Sequence, residues 1–301
     1  MKIVRALLNN ESGSALALVT FAFIGLVGIT GLVVDGGMLY ASKSHLQKVA
    51  NASVLSGAQE LTSDDQLKVR AIIDDILVHH DESDSLQALG IIPNSKVTIE
   101  LQKPVPLTFS SLFGIETVNI SANATASLGV MGRAVGAAPL GVPETTELQY
   151  GEEYKLKVDS SDSVSGYFGI LALEGPGANL YEDNLRYGFQ EPLAVGDVVN
   201  TQTGNIAGKT RTVVNELVNS CENYEQRDCP RTLLVLVYKP YNQTSDQLKQ
   251  VEITGFAHFY ITEPMSSTDT SITGIFIKRT NVGYFEPDAV DRGAYTIRLT
   301  E

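Results

Sequence analysis

The stretch "GSALALVTFAFIGLVGITGLVVDGG", Gly13 to Gly37, decides how the rest of the chain is read, because it holds no charge until Asp35. Ser12 to Val34 are 23 residues, all apolar, small or hydroxylic. As a helix they rise about 34 Å, against a hydrocarbon core of about 30 Å. A soluble core helix of that length carries a polar face, and this one has none. A secretory signal has an apolar region of about 7–15 residues followed by a small-residue cleavage site. Here the run is longer, no such site follows, and the helical pattern continues through "GGMLYASKSHLQKVANASVLSGAQEL". The sequence therefore predicts a transmembrane helix at 12–34, preceded by a cytoplasmic tail at 1–11.

Charge predicts the orientation. Lys2 and Arg5 precede the span, Glu11 offsets one of them, and Asp35 opens the far side. The positive-inside tendency then puts a single-pass protein in the cytoplasmic membrane, amino terminus inside and body extracytoplasmic. Lys43 and Lys48 pull the other way. The only two cysteines, Cys221 and Cys229, sit close together in "CENYEQRDC". C-x-x-C spacing is missing and no His is near, which favours a disulfide in an oxidising compartment over free thiols or half a metal site. The whole chain of 301 residues is 43% hydrophobic and 19% charged, a globular composition, with net charge -13. The negative charge lies beyond the basic amino-terminal part, and such a body repels phosphate backbones. Membrane lipid is an expected partner and nucleic acid is not.

Beyond the span, residues 35–130 read as a helix-plus-sheet region, which the resemblance given below implies is pilin-like. Leu39, Leu46, Val49, Ala50, Ser53, Val54, Gly57, Ala58 and Leu61 form one broad helical stripe. "TSDD" predicts a helix restart, with Ser63 or Thr62 as N-cap and Asp64 and Asp65 in the first turn. Leu67, Val69, Ile72, Ile73, Ile76 and Leu77 then keep helical spacing. "KVTIEL" reads as a strand, and Val118, Ile120, Ala122, Ala124, Ala126, Leu128 and Val130 alternate as a long strand with one buried face. "MGRAVGAAPLGVPE" is rich in Gly, Ala and Pro and predicts a linker at 131–143. From 144 to 301 a β-rich extracytoplasmic domain is expected. Its strands are read at 154–158, 168–173, 233–238, 251–261, 272–278 and 294–299, with a helix at 210–221 and a shorter one in "PGANLYEDNLRYG". The fold class is α+β.

The residues around the span carry a family resemblance. Glu11, the apolar span ending in Val33-Val34-Asp35-Gly36-Gly37, Tyr40 and "LQKVANASVLSGA" resemble the TadG-like proteins of tight-adherence (Tad, or Flp) pilus assembly. Asn51 stands where the family often has Asp, and Val49, Ser53, Val54 and Ser56 depart from its Ala-rich run. The resemblance covers about Glu11 to Leu61 and implies a membrane-anchored, pilin-like or pilus-accessory role, with other pilus-assembly or pilin-like proteins as partners and no catalytic residues to transfer. Ala6, five residues before Glu11, is placed as at a prepilin processing site, but the intervening "LLNN" is half polar.

Other constellations are weaker. "GNIAGKT" (204–210) imitates a phosphate loop one residue short, and reads as a glycine turn before a helix; no nucleotide is expected. Asp159, Ser161 and Ser163 keep the order of a metal-dependent adhesion site without its apolar preceding strand. "HHDESD" (79–84) reads as a polar helix end. No GxSxG or HExxH motif suggests an enzyme, so no catalytic residue, metal or cofactor is assigned. Gly25, Gly28 and Gly31 step by three, each about 60° behind the last around the helix, and with Ala22 form a strip that would let another helix approach closely. The expected function is a non-catalytic structural or accessory component of Tad/Flp-type pilus assembly. The alternative is an anchored cell-surface binding or adhesion module.

Overall fold

One continuous helix, α1 (Glu11–Ala58), carries the chain from the apolar stretch into the body. The computed structural model describes residues 11–63, 65–157, 169–202, 206–241, 248–268 and 270–300. In α1 the apolar half and the amphipathic half share one axis with no break at Asp35, Gly36 or Gly37. The helix is long and apolar enough to cross a bilayer, and only 6% of its most apolar window is buried.

The second half of α1 packs on α2 (Gln66–His79) and on a sheet led by β1 (Leu86–Ile92), β2 (Lys96–Pro106) and β3 (Thr117–Ala134). Leu46, Val49, Ala50, Val54, Ala58 and Leu61 are fully buried, as the helical stripe requires. They meet Val69, Ile73 and Leu77 of α2, Val97, Ile99 and Leu101 of β2, and Ala122, Ala124 and Ala126 of β3. Small residues on both surfaces bring helix and sheet close. At Gly57 an added Cβ would lie 2.8 Å from Ile73, so the glycine sets the approach of α1 and α2. The α2 cap differs from expectation by two or three residues. Asp65 is the N-cap, its carboxylate accepting from the backbone N–H groups of Leu67 and Lys68.

The rest of the chain is β4 (Ala137–Pro143), β5 (Glu153–Lys157), β6 (Gly169–Ala172), α3 (Ala178–Tyr187), β7 (Leu193–Ala194), β8 (Val198–Thr201), α4 (Ala207–Leu217), β9 (Thr232–Pro240), β10 (Gln250–Ile261), β11 (Ser271–Ile277), β12 (Arg279–Thr280), β13 (Tyr284–Phe285) and β14 (Ala294–Leu299). β9 pairs with both β4 and β10, so the path β10–β8–β6–β4–β9 closes on itself as a small ring. β11 and β5 extend it from β10. Closure leaves few free strand edges. Val235, Val237, Ala257, Phe259 and Phe276 face one core with Val213 and Val214 of α4. Leu234, Leu236, Tyr238, Ile253 and Phe256 face another.

Two expectations about domain boundaries are corrected. Residues 131–143 are not a linker: they are the end of β3 and the whole of β4, and six of the seven β4 residues are buried. Their glycines and alanines are there for contact. A Cβ at Gly141 would lie 2.7 Å from the Tyr238 ring, and Gly136 turns the chain at φ +89°. Nor is 144–301 separate from 35–130. The last strand, β14, returns to pair with β3 from Tyr295↔Val130 to Leu299↔Ala126, extending the amino-terminal sheet with carboxy-terminal residues.

Candidate functional site: two junctions along the long helix

The lower junction forms where the apolar half of α1 ends. Asp35 is 3% exposed. Its carboxylate accepts hydrogen bonds from the backbone N–H groups of Thr108 (3.0 Å), Phe109 (3.1 Å) and Ser110 (2.6 Å) and from the Ser110 hydroxyl (2.7 Å). These amides open a short 3-10 helix at Ser110–Phe113, whose first N–H groups have no partner within the helix. The carboxylate caps it from 73 residues away in sequence, and charge-assisted bonds of this kind are the stronger class. One turn nearer the amino terminus, a Cβ on Gly31 would come within 2.7 Å of Phe109. Gly31 and Asp35 thus hold one loop against one face of α1.

Above that point polar rungs continue. Lys43 donates to the Ser121 carbonyl, and Gln47 Nε2 donates to the Asn123 carbonyl at 2.7 Å. Glu82, 2% exposed, accepts from Lys103 Nζ at 2.7 Å and from the Ser85 hydroxyl at 2.5 Å, with His45 Nε2 at 3.7 Å. Burial opposes its charge, but the Lys103 ammonium and the Ser85 hydroxyl outweigh burial and hold the carboxyl below its usual range. The polar run at 79–84 is therefore a helix end whose one buried acid has partners. Among the described residues no group of three or more His, Cys, Asp or Glu side chains is placed to hold a metal ion.

The upper junction lies at the far end of α1. Cys221 and Cys229 are joined in a disulfide, with Cα atoms 5.5 Å apart. The loop they close is docked. Arg227 pairs with Glu60 at 3.1 Å, and Lys68 with Glu225 at 3.1 Å. Arg279 donates to the carbonyls of Tyr224, Gln226 and Arg227. A cleft of about 960 Å³, of mixed polar and apolar lining, runs between the end of α1, this loop and β11–β12. The exposed ion pairs contribute little stability each, and their value is orientation.

The helix-packing strip does not stay together. Nothing lies within 4 Å of a Cβ built at Gly25 or Gly28, and Ala22 is exposed, whereas Gly31 is covered by Phe109. The strip expected to be free for another helix is filled at Gly31 by the chain itself. The phosphate-loop imitation is engaged inside the fold as well. Lys209 Nζ lies 2.5 Å from Glu182, and the buried Thr210 hydroxyl donates to the Ile206 carbonyl at 3.0 Å. Gly204, Asp159, Ser161, Ser163 and Ala6 lie outside the described residues. Sequence reading missed the role of Asp35, taking it as the interfacial end of the span. The signal available was a lone acid after 23 uncharged residues, with an uncharged Ser/Thr-rich loop, "LTFSSLFG", elsewhere in the chain.

No curated protein and no solved structure matches the chain. The family model Tad, described as "Putative Flp pilus-assembly TadE/G-like", matches residues 13–60, which are nearly the whole of α1 and the turn after it. Residues 13–60 are thus similar to the segment that this TadE/G-like family model describes.

Proposed function

We propose that the chain is a membrane-anchored, non-catalytic structural or accessory component of Tad/Flp-type pilus assembly, held by residues 12–34 with its body on the extracytoplasmic side. The observation that carries this reading is the coincidence of the family match with α1, whose first half is apolar and uncovered and whose second half is the spine of the body. An apolar surface of that length has no favourable solvent but a bilayer or another protein's apolar face. The Cys221–Cys229 disulfide supports an oxidising, extracytoplasmic compartment. Membrane lipid and other pilus-assembly or pilin-like proteins are the partners this reading names.

The test is in-cell crosslinking from the body of the full chain, followed by identification of the joined proteins. Capture of pilus-machinery components is the expected result. A body that joins no such component, yet binds a surface ligand saturably, would replace this reading with the adhesion module.

A further inference from the structure

The loop that Asp35 caps carries an apolar surface beside the span. Leu112 and Phe113 are each 79% exposed and Ile115 is 52% exposed. They belong to "LTFSSLFGI", residues 107–115, which holds no charge. Large apolar side chains on a solvated loop tip are costly unless something covers them. Their position says what does. Phe109 lies against Gly31, three residues inside the end of the uncharged span, and the amides of 108–110 are fixed to Asp35, its first charge. The loop therefore sits at the height of the last turn of the apolar half of α1, about 6 Å per four residues. Leu112 and Phe113 lie within one short 3-10 turn of Phe109.

We infer that the 107–115 loop is a second membrane contact, dipping Leu112, Phe113 and Ile115 into the interfacial layer of the bilayer that α1 crosses. The inference rests on the anchor reading above. A helix alone is free to tilt and rotate in a bilayer, and interfacial side chains are what fix it. Here the loop is clamped to one face of α1, so its insertion selects one rotation of the helix. The rigid body above is then presented in one orientation to whatever it assembles with. The Asp35 carboxylate serves this directly, because its bonds to the amides of 108–110 fix the loop to α1 at the end of the span.

The chain contains no tryptophan, so a single introduced one reports alone. The full chain would be reconstituted into phosphatidylcholine–phosphatidylglycerol vesicles as three variants, Phe113→Trp, Val27→Trp in the span and Val282→Trp. Val282 is 89% exposed and lines the cleft at the other end of α1, about 40 Å from Gly31 along the helix. Lipids brominated near the headgroup and aqueous iodide serve as quenchers. The expected result is that Phe113→Trp loses emission in brominated vesicles and is shielded from iodide, while Val282→Trp shows the reverse. If Val27→Trp is quenched by bromine and Phe113→Trp is open to iodide, the loop contact is overturned and the anchor stands. If Phe113→Trp is shielded from both quenchers, protein covers the loop and the lipid assignment is overturned. If Val27→Trp escapes bromine, the anchor reading falls and the loop contact falls with it.

Discussion

From Leu16 to Val34 the large side chains of α1 stand in open space, whereas Leu46, Val49 and Val54, on the same helix, are enclosed. The backbone is helical throughout, so the contrast lies wholly in the side-chain pattern. In the second half, apolar residues recur on one face and the other face is polar, which is what a sheet-covered helix needs. In the first half apolar residues go all the way round, and the body covers little beyond Gly31. The difference teaches that one helix carries two surface patterns, as the proposed anchor requires, with Asp35 at the border. Its carboxylate satisfies the loop that closes the body at the point where the apolar half begins.

The largest expected effect comes from charging the first half. Phe23→Arg with Leu26→Arg places two guanidinium groups near the middle of the span, at about 2.5–3.5 kcal/mol each, or roughly 5–7 together. Membrane retention of the chain should be lost while the melting of any soluble protein recovered stays as in wild type. Truncating the second half should do the opposite. Leu46→Ala removes a fully buried side chain and should lower the stability of the body by about 2–5 kcal/mol, with membrane retention unchanged. The same deletion at the exposed Leu26 should leave thermal unfolding of the body where it was.

Reduction of Cys221–Cys229 should cost roughly 2–3 kcal/mol, the entropy of a loop of that size, read as a fall in the denaturant midpoint. It should also loosen the docking of Arg227 and Glu225 at the upper end of α1, visible as faster hydrogen exchange there, with the lower junction unaffected. The most gradual effect is in acid. His258, in β10, is 1% exposed, and neither ring nitrogen has a hydrogen-bond partner among the described residues. Burial, aided by the Arg279 charge, pulls its pKa down to about 3. The unfolded chain takes up that proton near pH 6.5 and the folded chain does not, so the stability His258 contributes is present above pH 6.5. It is lost as pH falls toward 3, by at most about 1.4 kcal/mol per pH unit. Glu82, held below its usual range, adds a loss in the same direction once pH drops beneath the unfolded carboxylate value. His258→Leu should flatten the upper part of that slope in a pH series of urea titrations and leave the lower part.

Much of this architecture was legible in the sequence because the periodicities were strong and local. The uncharged run, the stripe from Leu46 to Leu61, the alternation from Val118 to Val130 and the strands at β9, β10, β11 and β14 all follow from side-chain spacing alone. Strand β1 escaped because it is an edge with little buried surface, and β7, β12 and β13 because two residues carry no period. The linker misreading has a different cause. Gly, Ala and Pro signal both a flexible connection and the tightest packing, and composition alone does not distinguish them. The junctions were hidden for a third reason. Asp35 meets residues 108–110, Arg227 meets Glu60 and β14 meets β3 across long stretches of chain, and no local pattern records such a pairing.

Residues 12–34, as proposed, remain with the protein as its membrane anchor. The most direct test is the intact mass of the full chain recovered after alkaline carbonate washing of the membranes that contain it. The prediction is that the chain stays with the membranes and its mass still includes residues 12–34. Release of the chain into the wash, or a membrane-bound product whose mass lacks those residues, would contradict it.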